Sequence, residues 1–167
     1  MIHFNQISLP EHSRIWIYQA DRALTEAEQQ HILLKGKEFT SGWAAHGHEL
    51  MAELTVLLDH FIILVLDEQV EAASGCSIDK SMKFILDLQQ ELGLSLTNRL
   101  ISAFWIDEKV QLLTYADVKK YLENGAVSGD HWVFDNTIQN LISLKISWLK
   151  PLKETWLKKL LESQNVA

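Results

Sequence analysis

Apolar and polar positions alternate and recur along the chain in a way that lays out most of its elements. Ile15-Trp-Ile-Tyr18 is a short β-branched and aromatic run and predicts a strand. Thr25-Glu-Ala-Glu28 carries the capping-box pattern, in which a hydroxyl and a carboxylate each satisfy a free backbone N–H, and predicts a helix to about Phe39. Gly36 is its weak point, costing about 1 kcal/mol relative to alanine. Ser41 to His48 reads as a loop. Leu50–Leu58 and Phe61–Leu66 then form a hairpin across Asp59-His60, and the second run, apolar on both faces, belongs in the centre of a sheet.

Ile78, Met82, Ile85, Leu88 and Leu92 recur at helical steps before Gly93, which predicts a second helix with those residues inward. Leu100–Ile106 and Lys109–Leu113 make another hairpin across Asp107-Glu108. Thr114 caps a short helix ending at Asn124-Gly125, and His131–Phe134 is a further strand. Pro151 suits the first turn of a terminal helix reaching about Leu161. The order strand-helix-strand-strand-helix-strand predicts an α+β fold with a ferredoxin-like split βαβ core. A hairpin, a short helix, a further strand and a C-terminal helix extend it. No Pro/Gly/Ser-rich linker interrupts the chain, so residues 1–167 read as one domain.

Composition narrows the class of protein. With 47% hydrophobic and 22% charged residues, the 167-residue chain can bury a core without disulfides or a structural metal. Its single cysteine, Cys76, suits a reducing compartment, and neither a signal peptide nor a membrane-length apolar run is present, so a cytoplasmic location is expected. The net charge of −7 disfavours nucleic acid as a partner. The region after Ile138 is the exception, with Lys145, Lys150, Lys153, Lys158 and Lys159 against Glu154 and Glu162. Its apolar and basic residues, Trp148 and Trp156 among them, are expected to dock on the chain's own sheet, with a homodimer contact or an anionic membrane surface as the alternatives.

Phe61-Ile-Ile-Leu-Val-Leu-Asp67-Glu68 has the form of a Walker B strand, whose Asp would hold Mg²⁺. The nearest phosphate cradle, Ser74-Gly-Cys-Ser-Ile-Asp79-Lys80-Ser81, has Ser74 and Asp79 where a P-loop needs glycine, and it follows the strand instead of preceding it. No LSGGQ-type signature occurs, so P-loop ATPase chemistry is rejected. Ile15–Arg22, Ser41–His48, Ala73–Asp79 and Trp132–Asn136 together resemble a small bacterial family commonly labelled "ABC transporter ATPase", over about Ser13 to Asn136. That resemblance implies a nucleotide-binding, ATPase-like protein by its label and brings no catalytic residue or cofactor with it.

The remaining chemistry centres on Trp43, His46, His48 and Cys76-Ser77-Ile-Asp79. Cys76 lies at the predicted start of the second helix, where free N–H groups and the helix dipole favour a thiolate, and His46 or His48 would serve as its base. Trp43 would wall the cleft, with Ser77, Asp79 and Asp67 as ligand-binding groups. Against this, Ser77 and Asp79 suit capping roles, and a lone Cys is usually a small buried hydrophobe. The His46-Gly-His48 pair with Asp67 or Asp79 lacks a third histidine, so no metal and no cofactor is expected. The leading reading is a non-catalytic binding or protein-interaction module for an unknown small ligand or protein. A small enzyme or ligand sensor with a Cys/His cleft is the alternative. Substrate, partner and oligomeric state are not legible.

Overall fold

The computed structural model describes residues 2–164, with the side chains of residues 163 and 164 left aside. It is a mixed α+β structure whose internal contacts divide the chain into two units, Met1–Thr97 with Thr137–Lys145, and Asn98–Asn136 with Ile146–Ala167. Two boundaries fall in polar turns and the third, between Lys145 and Ile146, falls within a helix, and the chain returns to the first unit after leaving it, so no linker marks the division.

In the first unit, β1 (Arg14–Gln19), β4 (Ala52–Leu57) and β5 (Phe61–Leu66) form an antiparallel sheet in the order β1-β5-β4. All six β5 residues are fully buried, as their uninterrupted apolar run requires. The β4–β5 reversal uses Leu58, Asp59 and His60, one residue earlier than expected. Leu58 and Asp59 both adopt positive φ (51°), and His60 Nδ1 sits 2.8 Å from Leu58 O and 2.6 Å from Asp59 Oδ1.

Helix α1 (Glu26–Ser41) packs on β4. Its capping box is formed as expected between Thr25 and Glu28, and Arg22 adds a two-armed contact to the Glu28 carboxylate at 2.7 and 2.9 Å. The Arg22 guanidinium first, then the Thr25 N–H, hold the Glu28 carboxyl down at about 2. A depressed carboxyl contributes stability above its ordinary range that disappears as pH falls through its folded value. Glu28→Gln is therefore expected to flatten the acid limb of the stability profile between about pH 4.5 and 2, as read by urea unfolding at stepped pH.

Helix α2 (Gly75–Leu92) ends on Gly93, whose φ of 61° and N–H to Gln89 O make the predicted stop. Its inward face matches the predicted one at Ile85 and Leu88, with Leu92 packed partly buried against the core, and departs from it at Met82. Ser77, Ser81, Ile85 and Leu88 are buried, whereas Met82 is 41% exposed. Ser77 and Ser81 share that face because their hydroxyls are satisfied locally. Ser77 Oγ donates to Ser74 O at 2.8 Å and Ser81 Oγ to Ile78 O at 2.7 Å, so both enter the core at little cost.

The four-stranded sheet of a ferredoxin-like core is not formed. Its expected fourth strand, β6 (Ile101–Ile106), belongs to the second unit, in a sheet of order β7-β6-β8-β9 with β7 (Lys109–Thr114), β8 (Trp132–Phe134) and β9 (Leu149–Pro151). The edge of β1 is instead met by the segment before α4 (Leu141–Ser147): Ile15 N donates to Gln139 O at 3.0 Å and Leu141 N to Ser13 O at 2.9 Å. Strand β6 pairs with β7 along all six residues and with β8 at Phe104 and Trp105.

The second unit also holds α3 (Tyr115–Glu123), capped by Thr114 as expected, and α5 (Lys158–Gln164). Pro151 does not begin the terminal helix: it ends edge strand β9, where a missing N–H is tolerated, and a single 3₁₀ turn, Leu152–Glu154, separates it from α5. Trp148, Leu152, Leu157 and Leu160 are buried, the last three in this unit's core with Phe104, Val118 and Val133. Trp156 is exposed and stacks on Tyr115. Asp107 and Glu108 turn the β6–β7 hairpin at φ 50° and 60°, the left-handed pair of a type I′ turn that favours glycine. Glu108→Gly is expected to stabilise the protein by about 1 kcal/mol, measured as a rise in the denaturation midpoint at constant m-value.

Candidate functional site

The sheet end where β1 begins and β5 ends is also where α2 starts. Ser74 is the N-cap of α2, and with Ser77 it forms a reciprocal box: Ser77 N donates to Ser74 Oγ at 3.2 Å and Ser74 N to Ser77 Oγ at 2.8 Å. These residues fold this way because serine oxygens meet the free N–H groups of the first turn better than water does once Ser77 is buried. Ser77 therefore caps, and its hydroxyl is fully used by Ser74.

Ser41–His48 is more ordered than a loop. β2 (Ala44–Ala45) and β3 (His48–Glu49) pair around a tight turn at His46 (φ 51°) and Gly47 (φ 86°), and Leu50 N closes the hairpin base on Trp43 O at 2.9 Å. Trp43 pins this hairpin to α2, because its indole N–H donates to Ser77 O at 2.8 Å. The ring lies against Phe39 at 5.3 Å and edge-on to Trp16 at 6.1 Å. At 1% exposure Trp43 is a core residue, and it walls no open cleft.

The hairpin and the turn holding Cys76 are thus neighbours through the Trp43–Ser77 bond. Cys76, His46, His48 and Asp79 are all exposed around it. No hydrogen bond joins Cys76 to either histidine, and among the described residues no group of three or more His, Cys, Asp or Glu is arranged to hold a metal ion. The exposed position of Cys76 departs from the buried hydrophobe that a lone cysteine usually is.

Asp67 and Glu68 leave β5 into a set of contacts that sequence reasoning missed. Asp67 is buried, accepts from Gln69 N at 3.0 Å and lies 2.9 Å from His12 Nε2. The hydrogen bond to His12 holds its carboxyl below the usual range, against the opposing effect of burial, and the Gln69 N–H adds to it. Glu68 Oε1 accepts from Arg14 Nη1 at 3.2 Å and Ala73 N at 3.3 Å. Arg14 also lies 4.5 Å over the Trp16 ring. The Walker B-like acids thus hold the start of β1 and the approach to α2. Opposite charges at the paired ends of two antiparallel strands are the signal that could have found His12 and Arg14, once β1 was known to pair with β5.

No helix among the described residues is long and apolar enough to cross a membrane. Comparison of the chain with protein-family models, with curated proteins and with solved structures gives no match, so its function has to be argued from the geometry above.

Proposed function

We propose that the chain is a non-catalytic protein-interaction module working in a reducing, cytoplasmic setting. One observation carries this reading: the acids and serines at the α2 end, Asp67, Glu68, Ser74 and Ser77, are already spent on holding the fold together. Asp67 holds His12 and Gln69 N, Glu68 holds Arg14 and Ala73 N, and Ser74 and Ser77 cap each other. A nucleophile needs a base within hydrogen-bond reach, and the Cys76 sulfur has no such partner. The side chains left over on the helices include exposed apolar ones, Leu33 and Leu34 on α1 and Met82 and Leu86 on α2, which suit contact with another protein.

A small enzyme or ligand sensor is the second reading, favoured by the Trp43–Ser77 bond that sets the His46/His48 hairpin beside the turn of Cys76. Alkylation kinetics separate the two. In an interaction module, replacing both His46 and His48 by Asn should leave the rate of Cys76 alkylation by iodoacetamide in the native protein within about twofold. A fall of about tenfold, comparable to losing a general base, would support the enzyme and remove the first reading.

A further inference from the structure

We propose that the outer edge of β4 is a β-augmentation site that takes an extended, basic peptide segment of a partner protein. Edge strands offer a row of unpaired N–H and C=O groups, and proteins protect them with lysine, proline, bulges, short length or a covering segment. Three edges of the two larger sheets are protected in this way. The edge of β1 is met by Gln139 and Asn140, β7 starts on Lys109, and β9 is three residues long and ends in Pro151.

β4 has none of these devices. Its six residues pair with β5 in unbroken register, without a bulge, and contain neither lysine nor proline. Its one charge, Glu53, accepts from Ser8 N, Ser8 Oγ and Leu9 N. Outside β5, the backbone of β4 is hydrogen-bonded among the described residues only by His60 of the β4–β5 turn, whose N–H donates to Leu57 O at 3.2 Å.

The helix above β4 decides what can fill the edge. α1 lies so close that a Cβ on Gly36 would come 2.7 Å from Leu54 Cδ2 and 3.0 Å from Leu54 Cβ. A second copy pairing through its own β4 would sit about 4.8 Å away. That would bring two α1 helices to about the same spacing, against the roughly 8–10 Å that packed helices need. A bare strand meets no such obstacle.

His31 and Phe39 mark the side of α1 turned to α2, through Glu91 and Phe84. At 100° per residue Leu33 falls on the opposite flank, over the open edge, and it is 41% exposed. An apolar residue of the incoming strand would cover it. The unit that carries β4 has fourteen acidic and seven basic residues, whereas the other has eight of each, so a basic segment is favoured. This site rests on the reading of the chain as an interaction module and names its partner chemistry.

The test pans a random-peptide display library on the full chain and resynthesises the most enriched peptide plain and N-methylated at alternate residues. Methylation in one of the two alternating sets should weaken binding about tenfold or more, because those amides donate to β4, while the other set changes it little. Bound peptide should slow hydrogen exchange at alternate amides of Ala52–Leu57, and Leu33→Lys, at an exposed position and with an unchanged Tm, should weaken binding about fivefold or more. Failure to enrich any peptide, equal affinity with either methylated set, or protection confined to another surface would overturn the site. Peptide capture at another surface would leave the module reading standing, whereas only the alkylation result can remove that reading.

Discussion

Trp43→Ala is expected to cost about 3–5 kcal/mol of folding stability, the range for deleting a fully buried aromatic side chain. The ring is 1% exposed, packs against Trp16 and Phe39, and carries the hydrogen bond that ties the β2–β3 hairpin to the first turn of α2. Against a typical total of about 5–15 kcal/mol this is a large fraction, and for a chain of this length it should lower Tm by about 10 °C. Trp43→Phe separates the two contributions. It keeps an aromatic ring and removes the donor, so about 1–2 kcal/mol should be lost. Urea unfolding at constant m-value measures both, and a loss below about 1 kcal/mol for the alanine variant would show that the hairpin is not anchored through this ring.

Gly36→Ala should reverse the sign that helix propensity alone predicts. In an exposed helix the change gains about 1 kcal/mol, but here the new methyl meets Leu54 at 2.7 to 3.1 Å. The atom at 2.7 Å is the end of a flexible side chain and can move. The Leu54 Cβ and Cγ, at 3.0 and 3.1 Å, move only if the helix lifts from β4. Overpacking of this kind costs about 1–3 kcal/mol, so the net effect is expected to be a loss of up to about 2 kcal/mol. A double-mutant cycle with Leu54→Ala checks the cause: in that background the methyl fills vacated space and Gly36→Ala should become stabilising. If it destabilises equally in both backgrounds, close approach is not what selects glycine at this position.

Gly36 also shows the limit of local reading, since the sequence marks it only as a weak helix position and the reason for it lies across space, on β4. The inner face of α2 shows a related limit at Met82, Ser77 and Ser81. Counting apolar residues places Met82 inside, but Ser77 and Ser81 go in because each hydroxyl bonds a carbonyl three residues back. A hydropathy pattern prices those serines as polar and cannot see that they are satisfied. At the candidate site, a Cys/His cleft requires the Ser41–His48 and Cys76 segments to lie side by side, and the indole of Trp43 ties them together. His12 and Arg14, the side-chain partners of Asp67 and Glu68, were missed because they lie more than fifty residues away in the chain.

Periodicity and turn chemistry were enough to locate β1, α1, β5, α2, the β6–β7 hairpin, α3 and β8, because each is stabilised by near neighbours: caps at Thr25 and Thr114, left-handed stops at Gly93, an unbroken apolar run at Phe61–Leu66. Which strands share a sheet was decided only in three dimensions. β6 pairs with β7 along its whole length and with β8 at Phe104 and Trp105, so the fourth strand expected beside β1 stands in another sheet. Short-range bonding is written in short stretches of sequence. Competition among distant strand edges, and the pairing of buried charges that follows from it, depends on which surfaces meet first and best.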